Sequence, residues 1–318
     1  MFTTFLASSD FYSLALFWLF YSWKWNLKKW ENALWWLCLC FGICYIIQYI
    51  AYPTEIFGGQ IRTESTERRM AIYGQGLASL SVIFGFNKYL LEKKIKYLLI
   101  ILTGLFAVFG CGYRTMLLAL IISLIVLVLR LGVSKKILLS FSVIFIILFF
   151  FISYTNFIQE QIGNMLARQE TLNTYRFEND IRYLNLIYHY TSYFKNPIEM
   201  IFGSGMPYTG TSYYDSEQDL KEMYGFYYSD WGLIGLSWII GIPAVLIMLI
   251  YSYKIFKTKT RKEYYYIGIY FFNIVISSIT THEFYIHLNF VVQAILFCIF
   301  TKVLEESSSK TDFNKIEC

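Results

Sequence analysis

The amino-acid sequence predicts an all-α polytopic membrane protein: about nine transmembrane helices and a large external loop that carries an amphipathic helix. Three observations predict it. Hydrophobic residues make up 57% of the 318-residue chain and charged residues only 15%, with a mean hydropathy of +0.47, whereas about a quarter of a soluble domain is charged. Apolar runs recur that are long enough, at about 1.5 Å per residue, to cross about 30 Å of hydrocarbon. Short basic clusters follow every second run, the asymmetry that orients membrane helices.

The runs cover residues 5–23, 33–52, 71–91, 97–112, 116–131, 137–154, 231–253, 264–281 and 284–303. Lys24, Lys28 and Lys29 follow the first, and Lys93, Lys94 and Lys96 the third. Arg130, Lys135 and Lys136 follow the fifth; Lys254, Lys257, Lys259, Arg261 and Lys262 follow the seventh. All of these fall on one side, the cytoplasm by the positive-inside rule. Residues 53–70, the turn "GCGYRT" at 110–115, residues 155–230 and the His282–Glu283 turn are then external. The fourth and fifth runs are expected to form a tight hairpin about "GCGYRT". A single membrane domain spans residues 1–318, with 155–230 its large external loop and 305–318 a polar, loose cytoplasmic tail. This topology leaves the N-terminus outside with few residues before the first run, the pattern expected if preceding helices are missing. A cleaved signal peptide fits less well, because residues 1–10 lack a basic start.

Several function classes fall away. The net charge of +5 does not indicate nucleic acid, because the basic residues sit in short clusters between apolar runs. Cys38, Cys40, Cys44, Cys111 and Cys298 lie inside apolar runs, and Cys318 is in the tail, so they read as small apolar side chains rather than a disulfide framework. His282 and His287 are five apart, a poor spacing for one metal ion. The chain shows neither a P-loop nor a Ser–His–Asp order.

The external cations are Arg62, Arg68, Arg69, Arg114, Arg168, Arg176, Arg182, Lys195 and Lys221. Seven of these nine are arginine, whereas the cytoplasmic clusters are mostly lysine. Arginine presents a rigid fork that binds phosphate or carboxylate bidentately and keeps its charge when partly desolvated. Arg68, Arg69 and Arg114 fall at the outer membrane–water boundary, the depth of a lipid phosphate. Any one of them could snorkel to ordinary phospholipid. Arginines in three separate external segments need more than that, since the orientation rule drains them from this side.

In "RYLNLIYHYTSYFKNP", Tyr183, Leu186, Ile187, Tyr190 and Phe194 recur at helical spacing and Pro197 marks a stop. This predicts an amphipathic helix at the outer face with Arg182 in its first turn. The Gly- and Tyr-rich coil "FGSGMPYTGTSYYDSEQD" follows; rings beside hydroxyls and carboxylates suit the faces and edges of sugars.

With these landmarks the chain resembles the O-antigen polymerase/ligase family of bacterial envelope proteins. The resemblance rests on "RRMAIYGQG", on the G-x-R-T turn of "GYRTMLLALIIS", on "RYLNLIYHYTSYFKNP" followed by "FGSG", and on "DWGLIGLSWIIG". It implies a multi-pass glycosyltransferase acting at the external, periplasmic face of the bacterial inner membrane on undecaprenyl-diphosphate-linked saccharides. Membrane lipids surround it, a chain-length regulator is a compatible partner, and no cofactor, metal or nucleotide sugar is implied. Ligases of the family carry a histidine–asparagine motif before the acidic "GLIGL" run, and "EMYGFYYSDWGL" has no histidine there. That favours a polymerase of O-antigen, capsular or exopolysaccharide repeat units. The segment between Pro197 and Gly203 is longer, and the chain shorter, than the family pattern.

A departing diphosphate needs its charge stabilised, which arginines can do without a metal. Arg182 and Arg114 are the first choices for that role, with Arg69, Arg68 and Arg176 as further diphosphate-binding candidates. Asp230, Glu283 and His282 are the candidate bases for the attacking hydroxyl. Each also has a plainer reading: Asp230 as a helix start favoured by the dipole, and His282–Glu283 as an interfacial turn. His189 is expected to ride on the amphipathic helix. A flippase for the same lipid-linked saccharide is the alternative function, and it calls for charges inside the spans, which are nearly absent. A purely structural membrane partner would leave the external arginines unexplained.

Overall fold

The computed structural model describes residues 15–62, 69–72, 74–132, 181–205, 207, 209–281, 284 and 289–316. Their regular secondary structure is helical apart from one short β-hairpin. In chain order they form α1 (Leu16–Ser22), α2 (Leu27–Ala51), β1 (Gly59–Arg62), β2 (Arg69–Ile72), α3 (Gly76–Glu92), α4 (Ile95–Cys111) and α5 (Arg114–Leu131). After these come α6 (Ile181–Tyr188), α7 (Pro197–Phe202), α8 (Ser212–Tyr224), α9 (Gly232–Ile240), α10 (Ile242–Lys257), α11 (Tyr265–Ser277) and α12 (Asn289–Ile316). The expected span over 137–154 lies outside the described residues.

Among the described residues two helices, α2 and α5, are long and apolar enough to cross a membrane, and α4 is apolar but one residue shorter than α5, at 17 against 18. Helices α3 and α11 form the centre, packed against each other and ringed by α2, α4, α5 and α10. Close approach is set by small residues: a Cβ on Gly104 of α4 would stand 2.8 Å from Ser81 Cβ and 3.1 Å from the Ala78 carbonyl of α3. The outside of this bundle is apolar too. Leu118, Ile121, Ile125 and Leu129 make an exposed stripe along α5, and Leu246, Ile247, Ile250 and Tyr253 another along α10.

Four expectations need correction. The run 231–253 is broken into α9 and α10 at Gly241, whose φ of +88° is one that L side chains rarely adopt. Its Cβ would lie 2.6 Å from the Phe202 carbonyl, and Pro243 then opens α10. The run 71–91 begins as β2, with Arg62 paired to Arg69 in antiparallel register, and becomes helical at Gly76. The tight hairpin of the fourth and fifth runs is absent. The two-residue link Gly112–Tyr113 lets α5 swing onto α11, where Asn273 Nδ2 donates to Ser123 Oγ at 3.2 Å. The tail is helical through Ile316, with Arg261 bridging to Glu306 at 2.8 Å.

Basic residues gather at one end of the bundle. There Lys88, buried inside the third apolar run, pairs with Glu31 of α2. Arg130 donates to the carbonyls of Phe256 at 2.6 Å and Thr258 at 2.8 Å, capping α10. Lys262 reaches the Leu131 carbonyl at 3.3 Å, and Asn87 donates to the Glu263 carbonyl at 3.0 Å. The clusters after the first, third, fifth and seventh runs therefore share this end wherever the structure describes them.

Candidate functional site

At the opposite end four distant segments meet. Gly112, at φ +66°, closes α4 by donating to Phe109 O at 3.0 Å. The extended Tyr113 then caps α5, whose first residue is the half-buried Arg114. An N-terminal cation opposes the helix dipole, so a guanidinium at a helix start favours an anion beside it. Thr115 Oγ1 lies 2.8 Å from Thr280 Oγ1, tying this turn to the segment after α11. That segment in turn holds α9, with Leu233 N–H donating to Ser278 O at 2.9 Å.

Asp230 sits in the 3-10 turn Tyr228–Trp231 that leads into α9, and it is half-buried. The next residue, Trp231, donates its indole N–H to the Arg182 carbonyl at 3.0 Å. One turn along α6, Asn185 donates to the Tyr227 carbonyl at 3.0 Å. The segments that carry Arg114, Asp230 and Arg182 are thus joined by hydrogen bonds, with the Arg182 side chain exposed. The β-hairpin approaches the same end: the Tyr45 hydroxyl donates to the Met70 carbonyl, and its ring lies beside Gly110. That places the backbone of Arg69 near the "GCGYRT" turn. Arg68, Arg176, His282 and Glu283 lie outside the described residues.

The expected amphipathic helix is α6, followed by a π turn over His189–Tyr193, with its faces turned inside out relative to a soluble helix. Ile181, Leu184, Ile187 and Tyr190 are exposed, while Asn185 and His189 are buried. Pro197 does more than end a helix. It opens α7, where Asn196 Oδ1 caps the Glu199 N–H at 2.9 Å. Ile198, Ile201 and Phe202 of α7 extend the exposed apolar face.

Beneath that face lies a polar interior. His189 stacks on Trp238 of α9 at 3.9 Å and 12°, and touches the Tyr193 ring at 4.5 Å. The Tyr193 and Tyr213 hydroxyls are 2.5 Å apart, and Tyr213 donates to Gly205 O at 3.2 Å. Burial, with the Glu217 carboxylate beside it, pushes the Tyr193 hydroxyl above its ordinary range; burial pushes Tyr213 up to about 12. Glu217 itself is only 4% exposed, and its Oε1 has no hydrogen-bond partner. Sequence reasoning missed Glu217, Tyr213 and Trp238. Glu217 and Leu220 are the buried pair of α8, a helix otherwise polar along its length, so no apolar run announces it. Among the described residues no group of three or more metal-ligating side chains occurs.

His189 Nδ1 lies 2.9 Å from the Asn185 carbonyl, which can only accept, so this nitrogen carries the proton and Nε2 keeps its lone pair. Burial lowers the imidazole pKa to about 4. The unfolded chain takes up this proton near pH 6.5 and the folded chain does not. Stability is therefore full above about pH 6.5 and is lost as pH falls toward 4, by about 3 kcal/mol in total. His189→Phe keeps a ring on Trp238 and removes the titration. Unfolding midpoints at pH 7.5 and 4.5 should fall less for this variant than for the parent; equal falls would contradict the assignment.

Neither family models, nor characterised proteins, nor solved structures match this chain.

Proposed function

We propose that this protein is a multi-pass membrane glycosyltransferase that polymerises undecaprenyl-diphosphate-linked oligosaccharide repeat units at the external face of the bacterial inner membrane. The observation that supports this reading is that the segments bearing Arg114, Asp230 and Arg182 are joined by hydrogen bonds at the bundle end remote from the lysine clusters. In this reading the lysine end is cytoplasmic and about nine spans cross the bilayer, α9–α10 forming one broken span. The apolar exposed faces of α5, α6, α7 and α10 support it, since contiguous apolar surface of this extent suits lipid rather than water.

Arg114 and Arg182 hold the donor diphosphate, with Arg69, Arg68 and Arg176 in support. An acceptor sugar hydroxyl attacks the anomeric carbon of the donor. The glycosyl–phosphate bond breaks, its electron pair leaves with the polyprenyl diphosphate, and the hydroxyl proton passes to the Asp230 carboxylate. His282 and Glu283 are the other bases within this proposal. Guanidinium groups fixed where the leaving charge develops lower the barrier.

The test is reconstitution. Purified protein in proteoliposomes, given an undecaprenyl-diphosphate-linked repeat unit and no nucleotide sugar, should yield a ladder of lengthened chains on the lipid. Unchanged single repeats would refute the proposal. Transfer of repeats across the bilayer without lengthening would favour a flippase.

A further inference from the structure

At the lysine end, away from the arginines, tryptophans enclose a cavity of about 200 Å³ between α1, α2 and α12. Its walls include Trp23, Trp25, Trp30, Leu34, Leu37 and Ile295. Trp23 and Trp30 are stacked at 5.8 Å and 12°, and Trp25 leans on Trp30 at 5.0 Å. Trp23 and Trp25, both exposed, form the rim. The wall is apolar, and Trp30 within it is 2% exposed.

Lysines adjoin the rim in the sequence. Lys24 lies between the two rim tryptophans, Lys28 and Lys29 directly precede Trp30, and all three are exposed. Lys302 of α12 donates to the Trp23 carbonyl at 3.4 Å and lies over the Tyr21 ring at 5.1 Å. Among the described residues no carboxylate pairs with Lys24, Lys28 or Lys29. Two carboxylates on the helices that line the cavity are engaged elsewhere: Glu31 with Lys88, and Glu305 with the Tyr21 hydroxyl.

We infer that this cavity binds an anionic phospholipid. An acyl chain fills the tryptophan-walled space, and the headgroup phosphate rests on Lys24, Lys28 and Lys29. Each of the two elements matches one part of such a molecule: apolar volume, and neighbouring lysines lacking counterions. Interfacial tryptophans and clustered lysines beside membrane helices are the usual chemistry of anionic-lipid sites. The site is independent of the glycosyltransferase reading.

Intrinsic tryptophan fluorescence tests it. The full chain is placed in phosphatidylcholine nanodiscs containing increasing amounts of phosphatidylglycerol brominated on its acyl chains, or of brominated phosphatidylcholine. Brominated phosphatidylglycerol should reach half-maximal quenching at a several-fold lower mole fraction. The Trp23→Phe/Trp25→Phe variant should lose part of the quenchable signal, locating it at the cavity. Lys24→Gln/Lys28→Gln/Lys29→Gln, confined to exposed side chains, should bring the two lipids to the same half-point. Ala33→Phe, which fills the cavity, should remove the excess quenching for both. Equal half-points in the unaltered chain, a preference that survives the lysine changes, or displacement by undecaprenyl phosphate but not by unlabelled phosphatidylglycerol would overturn the inference.

Discussion

Arg114→Ala and Arg182→Ala should each lower polymerisation in proteoliposomes by about 10²- to 10³-fold, the usual loss when one fixed donor to a developing negative charge is removed. Melting temperature and membrane insertion should stay near those of the parent. The expectation follows from where the two side chains sit. Arg182 is exposed, and Arg114 is half-buried at the first position of α5, outside the packed centre of the bundle. Arg130 provides the contrast. Its guanidinium donates to two carbonyls at the end of α10 and lies 4.7 Å from the Tyr265 ring centre. Arg130→Ala should therefore lower the melting temperature as well as the yield of product. Lysine at 114 or 182 should recover only part of the activity, because an ammonium cannot reproduce the bidentate fork. A parental ladder from either alanine variant would remove that arginine from the diphosphate site.

The end-to-end separation of charge was legible in the sequence, because lysine clusters at fixed intervals and arginines in the alternate loops need only counting. The G-x-R-T turn and the helix from Ile181 were legible for a similar reason: glycine and helical spacing are local signals. Where packing decides, the reading went astray. Gly241 lies in an apolar run that hydropathy cannot distinguish from a continuous span, and the break appears only when the Phe202 backbone comes against it. Lys88 read as part of an apolar run because its partner, Glu31, arrives from another helix. The fourth and fifth runs read as a hairpin because their link is short, yet the bond from Asn273 to Ser123 holds α5 to α11. Glu217 was hidden in a helix of polar residues, and only the tyrosines packed onto it mark it out. The stripe expected on α6 is only partly the exposed one: Ile187 and Tyr190 are exposed, but with Ile181 and Leu184, while Tyr183, Leu186 and Phe194 are half-buried.

The steric fit that assembles the arginine end makes Gly235 a sharp structural test. Helix α9 crosses the 3-10 turn so closely that a Cβ at Gly235 would stand 1.7 Å from the Tyr228 carbonyl oxygen and 2.7 Å from its carbon. The obstacle is backbone, so no side-chain rotation relieves it. Gly232 is equally tight: at φ +51° its Cβ would meet Ser278 O at 2.1 Å. Gly235→Ala must push the Tyr228–Trp231 turn off α9. The turn carries Asp230 and the indole that holds the Arg182 carbonyl, so displacing it shifts both segments relative to α9. The expected loss is about 3 kcal/mol or more, at the upper end of overpacking costs, together with loss of polymerisation. Gly210→Ala is the control. Gly210 also has positive φ, at +84°, but nothing lies within 4 Å of its would-be Cβ, so it should cost only the backbone strain of about 1–2 kcal/mol. Thermal unfolding of the purified variants separates the two, and the ladder assay reads the consequence for the site. A parental melting temperature for Gly235→Ala would mean that α9 and the turn do not meet, and the link from Arg182 through Trp231 to α9 would be lost with that contact.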